Sequence, residues 1–296
     1  MPARDPAELT AAEGRRLLEQ LAAGGAPLPH VVLTGGDPLK RDDLFELIAA
    51  ARGLGLPVSV APSATPLLTP GALSRLREAG VEAISLSLDG SCASRHDAIR
   101  GIGGTYERTL EAAAAARAAA LPFQINTLVC AETAEDLPAI YQQVVDAGAA
   151  RWSLFFLVTV GRGRTLQPVT AAHAERLLEW AAGLTAPPGT RGPIVTTTEA
   201  PQIRRITLAR ARTKGAERPA GHRGSAHHAS GVRDGNGVLF ISHTGEVCPS
   251  GFLEISAGNV RDRDVIEIYR TAPLFRTLRD VDGFTGRCGV CEYRAV

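Results

Sequence analysis

Lysine is nearly missing from the 296 residues: Lys40 and Lys214 are the only two, and arginine carries almost all the positive charge. We read this skew as genome composition, because the formal net charge is only +1 and the pI about 7.7. That balance excludes a surface that gathers nucleic acid or anionic lipid by charge alone. No run of 18 apolar residues occurs, which excludes a transmembrane helix. The N-terminal stretch MPARDPAELTAAEGRRLLEQL lacks the apolar segment of a signal peptide and reads as an amphipathic helix, so a cytoplasmic location is expected. Cysteine is scarce. The five are Cys92, Cys130, Cys248, Cys288 and Cys291, an odd number that argues against a disulfide framework and leaves metal or redox use open.

What is present is 45% hydrophobic residue content, enough for a sizeable core. Short apolar runs alternate with amphipathic segments. The pattern predicts helices over 7–23, 42–54, 69–79, 105–120, 135–147 and 171–184. Strands are predicted at 31–35, 58–63, 83–88, 123–129, 152–158 and 194–198. The repeat of roughly 25–40 residues is the size of a βα unit. Apolar strands separated by helices imply a parallel sheet covered on both faces, either an open doubly wound sheet or a barrel. Polar residues gather at the C-terminal strand ends: Gly35-Gly36-Asp37, Ser63 and Thr65, Ser87 and Asp89, Asn126 and Thr127, Thr159. Ligands bind at that edge in both architectures, and so many polar ends favour a ring of loops around one site. From Ala186 to Ser230 the pattern weakens into a linker, and GNGVLFISHTGEVCPSGF then reads as a hairpin turning near Thr244-Gly245.

Gly35-Gly36-Asp37-Pro38 has two readings. Glycines allow a backbone to approach a ligand and adopt positive φ, and Asp37 can accept from an ammonium group. The plainer alternative is a βα loop whose Asp caps something local. Cys288 and Cys291, spaced CxxC, suit a metal or iron–sulfur cluster, or a thioredoxin-like redox pair. Cys248 is a candidate third ligand but reads better as a small buried residue on a strand, and Cys92 and Cys130, near strand ends, have no metal-ligand spacing. His222, His227 and His228 read as solvent-exposed. The arginines at 204, 205, 210 and 212 form a helix face without interleaved aromatics, so nucleic acid is not expected. Gly101-Ile102-Gly103-Gly104 follows no strand and reads as a helix cap rather than a dinucleotide fingerprint.

The order VVLTGGDPL, SLSLDG, HDAIRGIGGTYERTL, QINTLV and GEVCPSGF…GNVRD…CGVCEYR resembles the radical S-adenosylmethionine (radical SAM) enzymes with a SPASM-type C-terminal domain. Members of that group modify peptides or act in heme and heme d1 synthesis. The resemblance implies an α/β partial (βα)6 TIM-like barrel, here without its first strand, over 1–200. A linker over 201–231 and a small cysteine-containing α+β module over 232–296 would follow. It implies that Gly35, Gly36, Asp37 and Pro38 meet the amino end of S-adenosylmethionine. Ser87, Asp89 and Asn126 would face its carboxylate or ribose, with residues 158–161 near adenine. Hydrogen abstraction from a peptide or tetrapyrrole substrate would be the chemistry, fed by an electron donor such as flavodoxin or ferredoxin.

Three departures stand against that pattern. The CxxxCxxC motif that holds the core cluster is not found ahead of Cys92. The tail ends at Cys291-Glu-Tyr-Arg-Ala-Val, and the position of a cluster cysteine in the family is matched by Ser250, with Cys248 two residues early. The expectation is a chain truncated at both ends and inactive as given, with Cys288 and Cys291 as an incomplete auxiliary cluster site. Its 31–35 strand would present an open edge prone to pairing with other chains. The alternatives are a non-catalytic module that binds a peptide or cofactor, or a cluster-free barrel enzyme using Asp37, Asp89 and Asn126.

Overall fold

A computed structural model describes residues 5–184, 192–213 and 233–294. His222, His227 and His228 lie outside the described residues. The central feature is a six-stranded sheet in the order β1 (Val31–Leu33), β2 (Val58–Val60), β3 (Ala83–Ser87), β4 (Phe123–Val129), β5 (Arg151–Phe156) and β6 (Ile194–Thr198). The pairs from β2 to β6 are parallel. The helices are α1 (Ala11–Ala23), α2 (Leu44–Gly53), α3 (Pro70–Glu78), α4 (Ala93–Arg100), α5 (Thr105–Ala118), α6 (Leu137–Ala147), α7 (Ala171–Leu184) and α8 (Ile203–Thr213). Architecture and order are those of a partial TIM-like barrel, as the sequence suggested. No described helix is long and apolar enough to cross a membrane.

The chain packs as two compact units. One comprises Val32–Phe45 and Val58–Glu217; the other comprises Met1–Val31, Glu46–Pro57 and Arg218–Val296. In the first unit, the two faces of the sheet differ. Burial of β4 alternates strictly along FQINTLV. Phe123, Ile125, Thr127 and Val129 are buried, while Gln124, Asn126 and Leu128 are less so. Register carries this alternation across the sheet. Ile84, Leu86, Trp152, Leu154 and Val195 share the apolar face with Phe123 and Ile125. Helix α5 packs on β3 and β4, and α7 on β6, so that face is the core. Trp152 is fully buried there, and its indole N–H donates to Thr127 Oγ1 (2.9 Å). Thr127 in turn donates to Leu88 O (2.7 Å), so its buried hydroxyl is satisfied.

Helix α4 lies where no helix was expected. Its few apolar positions give little helical periodicity, and its N-cap, Cys92, makes no side-chain cap bond. It is held by partners distant in sequence. Buried His96 accepts from the Asp89 amide through Nδ1 (3.0 Å), and burial pushes its pKa down. Arg100 Nε sits 2.8 Å from Asp89 Oδ2. Asp97 accepts from the Thr105 hydroxyl and from the Gly104, Thr105 and Tyr106 amides, which caps α5. The Gly101–Gly104 segment ends one helix and starts the next, with left-handed φ at Gly101 and Gly104. Helix α8 carries the arginines read as a helix face, within the segment also read as a linker; its residues Ile206 and Ile203 pack with Leu178 and Ala182 of α7.

The second unit joins the N-terminal helix to the C-terminal module. There β7 (Arg233–Asp234) pairs with β8 (Gly237–Val238), and β9 (Phe240–Ile241) runs antiparallel to β10 (Val247–Cys248). Helices α9 (Val265–Thr271), α10 (Pro273–Arg279) and α11 (Gly286–Gly289) follow. The expected hairpin turn is present: the Gly245 amide donates to Ser242 O. Asn259 donates to Thr244 O and Glu246 Oε1 behind this turn. Arg261 reaches Thr244 O, Ala7 O and both oxygens of Glu13. Glu13 also closes a capping box with Thr10, which starts α1 at Ala11 rather than Ala7. The GNVR segment is therefore a clasp on the N-terminal helix.

Two predictions follow from these ties. A Cβ at Gly90 would lie 2.4 Å from the His96 backbone nitrogen and 2.9 Å from the Arg95 carbonyl carbon. Gly90→Ala should therefore cost about 1–3 kcal/mol in urea unfolding. The Arg261 ion pair and the Thr10 bonds hold Glu13 at a pKa of about 2, below the ordinary 4.5. Its contribution is complete above pH 4.5 and is lost as pH falls through about 2. Glu13→Gln should lose less stability than the native chain between those values in acid-denaturation scans.

Candidate functional site

The glycine-rich turn leaves β1 at its C-terminal end. Gly35 has φ +135°, a conformation that side chains rarely adopt, and a Cβ at Gly35 or at Gly36 would meet no atom within 4 Å. The turn is thus open on the side where side chains would stand. It is also braced. Asp37 caps the short 310 turn Pro38–Lys40, accepting from the Leu39 amide at Oδ1 (3.2 Å). Its Oδ2 accepts from Thr65 Oγ1 (2.6 Å), and Ser63 Oγ donates to Gly36 O (2.6 Å). Asp37 therefore caps locally, as the plainer reading has it, and the two glycines leave open space beside the turn. Each carboxylate oxygen keeps a second lone pair for an incoming donor.

On the polar face of the sheet, register sets Ser87 beside Asn126 and Asn126 beside Ser153 and Thr196. Neighbouring strands lie about 4.8 Å apart, so these side chains form one row. Asn126 Oδ1 accepts from Gln124 Nε2 (2.6 Å), which turns the amide and commits its oxygen, leaving Nδ2 to donate. Asp89 stands apart from the row. It is 3% exposed, Oδ1 accepts from the Leu128 amide (2.7 Å), and Oδ2 pairs with Arg100. Its observed work is to tie β3 to β4 and to α4. Past β5, Val160 leads into the 310 turn Gly161–Thr165.

The cysteines lie elsewhere. Cys288 and Cys291 are exposed in the second unit, where α11 and a following turn join the Cys291 amide to Cys288 O. Cys248 is buried, and burial pushes its thiol pKa up. Ser250 donates to Asp234 Oδ2. Among the described residues no group of three or more His, Cys, Asp or Glu could hold a metal ion. Ser63 and Thr65 were legible only as polar strand ends; their bracing of the turn comes from the fold.

The sequence profile of the Radical SAM superfamily matches residues 2–144. The AdoMet-dependent heme synthase of Methanosarcina barkeri is 37% identical over 289 residues, covering 98% of this chain and 81% of the relative. The pre-heme d1 synthase of Dinoroseobacter shibae is 30% identical over 302 residues, covering 98% and 73%. Streptococcus suis SuiB bound to S-adenosylmethionine superposes with a TM-score of 0.69 at 15% identity. That match covers 92% of this chain and spans 61% of SuiB, and it bears on the fold.

The turn itself gives a paired prediction. Gly35→Ala should cost about 1–3 kcal/mol through its backbone conformation. Gly36→Ala should stay within about 0.5 kcal/mol of the native chain in the same melts.

Proposed function

Because the chain belongs to the radical SAM superfamily, we propose that it binds S-adenosylmethionine along the C-terminal edge of its sheet and acts on a tetrapyrrole. The open glycine turn beside the donor row carries this reading. The residues fit the cofactor. Gly35 and Gly36 let its amino end approach the backbone, and Asp37, fixed by Thr65, supplies the countercharge. Ser87 and the Asn126 amide donate to its carboxylate or ribose. Asp89 positions that row by fixing the register of β3 on β4. In this superfamily S-adenosylmethionine, once cleaved by an electron from a separate donor, would supply the radical that abstracts hydrogen. The described cysteines do not fit an iron–sulfur cluster, since Cys288 and Cys291 have no third or fourth ligand beside them. No step is assigned through one. The tetrapyrrole is favoured over a peptide by the heme-forming names of the relatives at 37% and 30% identity.

Isothermal titration of S-adenosylmethionine into the full chain tests the reading. Saturable one-site binding is expected, with Tm rising as ligand is added. Asn126→Ala should weaken binding roughly tenfold, the loss of about one hydrogen bond to a charged group. Gly36→Val should abolish binding while leaving the apo Tm unchanged. Absence of saturable binding at millimolar ligand would overturn the proposal.

A further inference from the structure

The polar face holds one full charge. Extending the register from Ser87–Asn126–Ser153–Thr196 towards the N-terminal ends gives a second row, Ser85–Gln124–Arg151. It lies two residues back along each strand, roughly 6–7 Å from the first. Along β2 to β6 this face carries Ala83, Leu128, Phe155 and Ile194 beside its serines, threonines, Asn126, Gln124 and Arg151, and no aspartate or glutamate. Arg151 is partly buried, and among the described residues no carboxylate or hydrogen-bond acceptor partners it. Burial pushes its guanidinium pKa down, and no ion pair opposes that. A desolvated, unpaired cation is unfavourable in a folded chain unless a ligand anion completes it.

We propose that Arg151 is a specificity-determining residue that pairs with a peripheral carboxylate of the tetrapyrrole substrate. The inference rests on the tetrapyrrole reading above. A guanidinium presents a planar pair of donors that matches a carboxylate. The neighbouring Gln124 is turned towards Asn126 and does not compete for it. Spacing separates the two ligands: the Ser87–Asn126 row serves the cofactor, and the Arg151 row, further from the edge, serves the substrate.

The test uses the full chain and two probes, coproporphyrin III and its tetramethyl ester, with binding followed by tryptophan quenching. The native chain should bind the tetra-acid at least tenfold more tightly than the ester. Arg151→Met should remove that preference and melt no lower than the native chain, since it deletes an unpaired charge. Arg151→Lys should keep part of the preference and carries the test should Arg151→Met misfold. Equal binding of acid and ester by the native chain would overturn the Arg151 pairing and leave the tetrapyrrole reading standing. An undiminished preference in Arg151→Met would do the same. Binding of neither porphyrin by a chain that still binds S-adenosylmethionine would overturn both.

Discussion

One buried carboxylate sets the geometry of the site. Asp89 accepts from the Leu128 amide, pairs with Arg100, and offers its own amide to His96. These bonds join the end of β3 to β4 and to α4. A slip of one residue between β3 and β4 would send every side chain to the opposite face. With β3 held, Asn126 would then turn into the helix layer and Ile125 out of it, away from Ser87 and Leu86. With the register fixed, Ile84, Leu86, Phe123, Ile125, Trp152 and Leu154 share the face that α5 packs on, and Ser87, Asn126, Ser153 and Thr196 share the other. The site is the reverse side of a well-packed core.

The same economy runs through the motifs. SLDG and HDAIRG are spatially one unit: Gly90 gives the His96 backbone room, Asp97 caps α5, and Arg100 neutralises Asp89. None of these groups needs to touch a ligand. They fix the strand ends that carry Ser87 and Asn126. GGDP works alike, with Asp37, Ser63 and Thr65 fixing a turn whose glycines are free. In the second unit, GNVR spends Asn259 and Arg261 on the hairpin and on Glu13. Catalytic precision generally requires this kind of support around the groups that bind.

Much of the fold was legible in the sequence. Phe123–Val129, Ala171–Leu184 and Ile194–Thr198 were bounded as observed, because long periodic segments state their own limits. Helix α4 was not legible, since its stability comes from His96, Asp97 and Arg100 meeting partners from other elements. The difference between the faces was also hidden. Thr127 sits in the apolar layer, and only its bonds to Trp152 and Leu88 show why it is tolerated there. Arg151 was missed because β5 begins one residue before the apolar run that signalled it. Of the candidate residues, Gly35, Gly36, Asp37, Ser87 and Asn126 were visible as polar strand ends. The structural commitment of Asp89 depends on contacts up to 39 residues away and had no local signature.

Hydrogen–deuterium exchange of the full chain, with and without S-adenosylmethionine, tests the site most directly. Protection should appear in peptides spanning residues 35–38, 87–89 and 126–128, and should leave 288–291 unchanged. Protection confined to the second unit, or none at saturating ligand, would contradict a cofactor site at the C-terminal edge of this sheet.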